Sequence, residues 1–153
     1  MRAIRTIFRA RPGAERGQAI AELAIIAPLL LLLLVGLVEF GRYARMSILV
    51  SNAARAGVQY GAQNFVTALD DAGMQNAAQT DAENVAGITA TSSHYCTCAN
   101  GTASSCQATD CASSHRLVYV QVDTHGTFTS MLHLPYVAPS LTISGRAVMR
   151  ATE

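Results

Sequence analysis

Residues 16–63 decide the fold, and they read RGQAIAELAIIAPLLLLLLVGLVEFGRYARMSILVSNAARAGVQYGAQ. The sixteen residues from Leu23 to Val38 carry no charge and include six consecutive leucines. Extended back to Gln18, this run is long enough as a helix to match the roughly 30 Å hydrocarbon core of a bilayer. The pattern predicts a transmembrane helix over 18–39, in which Pro28 bends the helix rather than ends it.

The charges that flank this helix predict its orientation. Five of the eleven arginines lie in the first sixteen residues, where Glu15 is the one acidic residue. An excess of arginine on one side of a span holds that side in the cytoplasm. The N-terminus is therefore expected in the cytoplasm, and everything after Val38 outside it.

Two simpler interpretations of the apolar run are a secretory signal peptide and a plain membrane anchor. A secretory signal peptide needs a small-residue cleavage site soon after its apolar core, and residues 39–43 (EFGRY) contain none. A plain membrane anchor has the same topology, but it leaves Glu22 without a role, although a carboxylate close to a span is costly and usually functional. The plain anchor stays open as an alternative.

The helix is expected to continue beyond the membrane to about Gln63. Apolar and small residues recur there at three- and four-residue spacing. Small side chains in this pattern allow another helix to approach closely, and the candidates are Ala44, Ser47, Ala54, Gly57 and Gly61. The pattern leaves two partners open, the protein's own domain and a second subunit.

Residues 64–153 have the length of one modest exported domain. After a short polar break, Asp70–Val85 has the alanine-rich composition of a second helix. Asp70 or Asp71 is expected to cap its start, and Gly87 to mark its end.

The last third of the chain predicts β-structure. Alternating apolar and polar residues indicate strands over 117–122 and 141–149, and 127–134 is a candidate third strand. A small antiparallel sheet laid against the exported half of the long helix would bury both apolar faces. The expected fold class is therefore α+β.

Four cysteines lie in a polar segment, 94–115, that is expected to form a loop. An even number of cysteines outside the cytoplasm points to two disulfides, here among Cys96, Cys98, Cys106 and Cys111. Three connectivities are possible, and the two closest cysteines are expected to bridge outward rather than to each other. A metal site flanked by His94 and His115 is the alternative, but the spacing lacks the paired C-x2-C motifs of zinc folds.

Composition limits the remaining function classes. Ten acidic residues nearly balance eleven arginines, five of which lie in the N-terminal segment, so no basic surface remains for nucleic acid. The four histidines are scattered, and no nucleophile-elbow, metalloprotease or phosphate-loop motif is present. His125 lies near Asp123 and Ser130, but strand and loop positions explain these residues more simply. We expect a protein that is not an enzyme and holds no cofactor or metal.

Residues 16–63 resemble the TadE-like family of minor pilin-like (pseudopilin) proteins of the tight-adherence, or Flp, pilus machinery. A basic leader, a glycine and a glutamate five residues later are typical of type IV pilin-like proteins. The matching residues are Gly17, Glu22, Pro28, the EFG exit at 39–41 and the NAAR-x-G block at 52–57; LPY at 134–136 and LTISGRAVMR at 141–150 support them. The segment 66–115 carries no recognised motif, and Leu23 departs from the aromatic residue that usually follows the glutamate in this family.

The resemblance implies processing by a membrane prepilin peptidase. Cleavage would fall between Gly17 and Gln18 on the cytoplasmic side, where a residue without a side chain fits a narrow cleft. Glu22 would then pair with the freed amine of Gln18, in the same or a neighbouring subunit, in a low-dielectric setting. Such a pair would set the axial register of the subunits.

The resemblance also implies a function. The chain would be a non-catalytic pseudopilin of the bacterial inner membrane that takes part in assembly of a type IV (Flp/Tad) pilus for adhesion or secretion. Its partners would be the bilayer, other pilin subunits and the assembly platform. It would comprise a cleaved leader (1–17), the span (18–39), a helix extension (40–63) and an exported domain (64–153). The alternative is a membrane-anchored extracytoplasmic binding module that does not join a filament.

Overall fold

The computed structural model describes residues 14–85, 87–107, 109–132 and 138–152. Its elements in chain order are helices α1 (Ala14–Gly61), α2 (Phe65–Ala68) and α3 (Asp71–Asp81), then strands β1 (Thr89–Cys98), β2 (Ala103–Ser104), β3 (Arg116–Thr129) and β4 (Ser140–Arg150). The strands form one antiparallel sheet in the order β2-β1-β3-β4. The predicted α+β fold, with a long N-terminal helix and a small antiparallel sheet, is confirmed.

The chain divides between Phe40 and Gly41 into two compact units. The first contains the start of α1, which continues through Pro28 without a break. The second contains the rest of α1 and all other elements, and we call it the head.

The core of the head lies between one face of the sheet and residues of all three helices. Alternate residues of β3 are buried, because successive side chains of a strand point to opposite faces. Val120 and Val122 pack in one cluster with Val58 of α1 and Met74 of α3. Burying an aliphatic side chain of this size contributes about 1.5–3 kcal/mol. The apolar stripe of α1 beyond residue 40 is therefore used inside the head.

One polar side chain in this core is fully buried. The Thr124 hydroxyl donates a hydrogen bond of 2.7 Å to the carbonyl oxygen of Val50. A buried hydroxyl without a partner would cost about 1–3 kcal/mol. This bond joins β3 to α1 at a defined register.

The polar break after α1 contains a one-turn helix that the sequence did not predict. The Asn64 side chain accepts hydrogen bonds from the N–H groups of Val66 and Thr67, and the Thr67 hydroxyl accepts one from the Asn64 N–H. This reciprocal capping box begins α2. Near the C-terminus, the Thr152 N–H donates to the carbonyl oxygen of Ala62 at 3.0 Å, which satisfies the end of α1.

The second predicted helix is shorter than the sequence indicated. Asp70 caps α3 as predicted, and its side chain accepts the Gly73 N–H at 2.9 Å. The helix ends at Asp81, however, because Ala82 leaves the helical conformation and its carbonyl closes a turn with the Val85 N–H.

The prediction of a third strand over 127–134 was wrong. Residues 127–129 continue β3, which pairs with β4 as far as Thr129 and Ser140. Residues 130–132 are outside any strand, and the last two residues of that range, with the whole LPY motif, lie outside the described residues.

The sequence also missed β1, and the expected loop 94–115 begins inside it. The strand TATSSHYCTC is polar, and its buried positions are filled by Ala90, Cys96 and Cys98. Small side chains and cysteines carry little apolar periodicity, so pairing with β3, rather than local pattern, defines this strand.

Candidate functional site

The residues at the proposed cleavage point lie in the first turns of α1. The side-chain amide of Gln18 donates a hydrogen bond of 3.1 Å to Glu22, one helical turn away, and both side chains are exposed. A Cβ added at Gly17 would meet nothing within 4 Å. Packing within the described residues therefore does not require glycine there, whereas recognition by a peptidase would. The roles of these residues stay predictions.

The apolar run that follows is uncovered. The side chains of Leu29–Leu34 are 57–69% exposed. Within the described part of the chain, α1 is the helix whose length and composition suit a membrane crossing, with a mean hydropathy of 2.7 in its most apolar window. Among the described residues, α1 is thus the candidate membrane anchor, and its uncovered apolar side chains are those expected of a helix that faces lipid.

Three of the five candidate helix-packing residues are covered by the head itself. Ala54, Gly57 and Gly61 are buried. A Cβ at Gly57 would lie 2.9 Å from the Met74 carbonyl oxygen and 3.0 Å from a Val122 methyl group. The two glycines therefore allow α3 and β3 to approach α1 within one chain, which is one of the two partners that the sequence left open.

Ala44 and Ser47, the other two candidates, are half-buried. They lie one to two turns before Val50, where the buried residues of α1 begin. Contact with a second subunit at these two positions stays a prediction.

Both predicted bridges are present in the structure. Cys96 pairs with Cys106 and Cys98 with Cys111, with S–S distances of 2.04 and 2.00 Å. Residues two apart on a strand share one face, so both cysteines of β1 point toward the segment that follows β2. Each then bridges outward rather than to the other, as expected. Oxidised in this way, the four sulfurs offer no thiolate to a metal ion.

Asp110, a residue that no sequence motif indicates, organises the segment that the two bridges enclose. The Asp110 carboxylate accepts hydrogen bonds from the hydroxyls of Ser105 and Ser104, at 2.7 and 3.0 Å, and from the Ser105 N–H. These bonds lower the pKa of Asp110 below its usual value. No local pattern singles out this aspartate, because the serines that it binds lie five and six residues before it in the chain.

Arg116 ties the same segment to the helical side of the head. Its guanidinium donates to the carbonyl oxygen of Cys106 and lies 4.5 Å from the centre of the Phe65 ring. A cleft of about 460 Å³ adjoins this contact and includes His115 and Arg150.

The three residues His125, Asp123 and Ser130, which lie near one another in the sequence, hydrogen-bond to other groups in the structure. His125 Nδ1 lies 3.0 Å from the Ser144 hydroxyl. Burial alone would raise the pKa of Asp123, but hydrogen bonds from Arg146 and Gln121 lower it. The Ser130 hydroxyl donates to the carbonyl oxygen of Leu132.

Comparison with known proteins adds one match. The family model of the TadE-like proteins matches residues 17–59, which run from the proposed cleavage point through the exposed apolar run into the packed part of α1. Neither the curated proteins nor the solved structures contain a significant match to the chain. The resemblance found in the sequence is thus confirmed for this segment, and the chain carries a region similar to the TadE-like proteins.

Proposed function

We propose that this protein is a minor pilin, or pseudopilin, that takes part in assembly of a Tad/Flp pilus and is not an enzyme. The observation that carries the proposal is the position of Glu22. It lies five residues after Gly17, at the start of an exposed apolar helix and inside the TadE-like segment.

The geometry around Glu22 suits recognition of an amine. In the intact chain its carboxylate already accepts a hydrogen bond from the side chain of residue 18 at 3.1 Å. Cleavage before Gln18 would place a charged amine one helical turn from that carboxylate, on the same chain. Because the amine and carboxylate would lie near lipid, their attraction would be stronger than in water. The N-terminal amine of a neighbouring subunit would compete for the same Glu22 carboxylate. An ion pair between two subunits at this position would fix how far one is shifted along the other.

Replacement of Glu22 tests the assembly role. Glu22→Ala and Glu22→Gln should both abolish or strongly reduce piliation while the protein remains in the membrane fraction, because neither side chain carries a charge. Gln18→Ala is the matched control, since it removes the side-chain donor but keeps the amine that cleavage would free. Electron microscopy of shed pili and immunoblots of membranes provide the readouts. Unchanged piliation with Glu22→Ala would support a tethered binding module instead.

Processing is tested separately. Mass spectrometry of the membrane-extracted protein should find a chain that begins at Gln18, with or without a methyl group. Gly17→Leu should block this cleavage, and because Gly17 has open space around it the variant should still fold. A mature chain that begins at Met1 would contradict the proposed processing.

A further inference from the structure

One end of the sheet lies beside the part of α1 that directly follows the apolar run. β3 runs antiparallel to α1: Thr124 bonds to Val50, and further along the strand the Phe128 ring makes an edge contact with Tyr43, at 5.7 Å between ring centres. The later a residue lies in β3, the earlier its partner lies in α1. The C-terminal end of β3 therefore reaches the level of Tyr43.

In the sequence, that level is close to the end of the apolar run. Arg42 lies four positions after Val38, so the chain itself keeps the two residues within about 14 Å of each other. A headgroup layer occupies about 5–8 Å on each side of the hydrocarbon core. If Val38 ends the hydrocarbon-embedded part, chain connectivity alone keeps Arg42, and with it the adjacent ring of Phe128, within reach of lipid headgroups.

Exposed apolar side chains gather at this end of the sheet. Leu141 is the register partner of Phe128 in β4 and is 51% exposed. The Ser130 N–H donates a hydrogen bond of 3.0 Å to the Pro139 carbonyl oxygen. This bond joins the residue that follows β3 to the residue that precedes β4. Met131 follows at once and is 70% exposed. Exposing large apolar side chains to water is unfavourable in free energy, whereas the boundary of a lipid bilayer accommodates them.

Cationic groups lie beside these apolar side chains. Arg42 and Arg45 line a cleft of about 410 Å³ with Phe128. The Arg42 guanidinium lies 5.4 Å from the centre of the Phe128 ring. Guanidinium groups bind phosphate oxygens in a bidentate manner, and tyrosine, as at position 43, is enriched at membrane interfaces. Apolar groups combined with arginine and tyrosine are the chemistry of a membrane surface.

We propose that this end of the head binds the surface of the bilayer that holds the span, through a lipid-facing patch formed by Arg42, Arg45, Phe128, Met131 and Leu141. The arginines bind headgroup phosphates, and the methionine and leucine enter the headgroup–acyl boundary. The inference rests on the membrane anchoring contained in the proposed function. A bilayer is the occupant favoured over a second protein, because the patch follows the span within a few residues of the same helix.

A single introduced tryptophan reports on the patch, because the chain contains none. The full chain carrying Met131→Trp is reconstituted in vesicles of phosphatidylethanolamine and phosphatidylglycerol, with brominated acyl chains as quenchers. Ser113→Trp is the matched control: this exposed position precedes β3, at the opposite end of the strand. Fluorescence of the Met131→Trp variant should be quenched about threefold or more relative to the Ser113→Trp variant, as expected for a side chain a few ångströms into the interface.

The arginines are tested in the same background. Arg42→Gln combined with Arg45→Gln should reduce the quenching of the Met131→Trp variant, and quenching that stays unchanged would overturn their assignment to headgroups. Equal quenching of the two tryptophan variants, in protein that resists alkaline extraction, would overturn the patch and leave the anchor intact. Protein that is released by alkaline extraction would instead contradict the anchor and the proposed function.

The wild-type chain offers a second test that needs no substitution. Met131 is 70% exposed and Met149 is 40% exposed, so exposure alone predicts faster oxidation of Met131 by peroxide. In vesicles the proposal predicts the reverse order, because lipid covers Met131 and not Met149. Peptide mass spectrometry after a short peroxide pulse measures both rates, and faster oxidation of Met131 in vesicles would overturn the proposal.

Discussion

Two parts of the same helix differ in how they meet their surroundings. In the first, the leucines between Leu29 and Leu34 are more than half exposed. In the second, Val50, Ala53 and Ala54 have no exposed surface at all. Both parts are apolar and both are helical, yet only the second finds cover within the described part of its own chain.

The difference follows from side-chain size. Leucine and isoleucine hold neighbouring elements away from the helix axis, whereas alanine and glycine let them approach. At Gly57 and Gly61 the neighbouring chain lies so close that an added methyl group would overlap it, and at Gly36 such a group would meet nothing within 4 Å. The small-residue segment is therefore covered by its own sheet, whereas the large-residue segment has no such cover among the described residues, which is what a lipid-facing helix requires.

The largest effect is expected from a charge placed in each part. Leu30 and Ile48 are similarly exposed, at 57% and 60%. Leu30→Arg should cost about 2.5–3.5 kcal/mol of membrane insertion, because it falls near the middle of the span, and Ile48→Arg should cost little because water already reaches that position. Alkaline extraction of membranes measures the retained fraction. Equal retention of the two variants would remove the distinction between the parts.

Loss of a disulfide should weaken the head without affecting the span. Replacing both Cys98 and Cys111 with alanine opens a bridge between residues thirteen apart in sequence, which corresponds to about 3 kcal/mol of stability in the chain-entropy model. Thermal unfolding of the detergent-solubilised protein should show the loss, while membrane retention stays at the wild-type level. A head that unfolds at the wild-type temperature would show that the bridge adds nothing to the packed core.

Glycine substitutions sharpen the contrast at smaller scale. Gly57→Ala should destabilise the head by about 1–3 kcal/mol through overpacking, because the close Met74 oxygen belongs to the backbone and cannot rotate away. Gly36→Ala should leave the stability of the head unchanged. It should stabilise the helical conformation of α1 by roughly 1 kcal/mol, because alanine has a higher helix propensity than glycine. Urea unfolding in detergent compares the two, and equal effects would argue against intramolecular packing at Gly57.

The smallest effect concerns pH and Asp70. Hydrogen bonds from the Gly73 N–H and then from the Tyr60 hydroxyl, the latter at 2.8 Å, lower the pKa of Asp70 below its usual 3.8. A carboxyl whose folded pKa is lowered stabilises the protein above its unfolded pKa, and that stability is lost as the pH falls through the folded value. Part of the head's stability should therefore disappear below about pH 4.

Asp70→Asn isolates this contribution. Asparagine still caps the helix but does not titrate, so the fall in melting temperature between pH values of about 6 and about 3 should be smaller than in the wild type. An identical fall in both proteins would assign the acid sensitivity to other groups, such as Asp110 and Asp123, whose pKa values are also lowered.

Strong local signals made some elements predictable. Patterns among neighbouring residues predicted the apolar run, the Asp70 cap and the alternating residues of β3 and β4. The structure contains each of them. β1 was not predictable in this way. The polar residues of β1 form a strand because all of β1 pairs with β3, from Thr89 opposite His125 to Cys98 opposite Arg116.

The same division applies to the candidate site. Residue spacing alone placed Gly17 and Glu22 at the start of an apolar helix and indicated two bridges among four cysteines. Spacing did not determine which cysteines pair, because that depends on where β2 and the following turn return to β1. Nor did it determine what the small residues of α1 contact, because a stripe of glycine and alanine fits its own sheet and another helix equally well.

The sequence by itself determined the long apolar helix and its basic flank, since both follow from hydropathy and charge, which are properties of single residues summed over a segment. Only the tertiary structure decided that Gly57 and Gly61 serve the head and that Cys96 meets Cys106. Those outcomes depend on contacts between residues far apart in the chain, and the geometry of such contacts exists only after the sheet has formed.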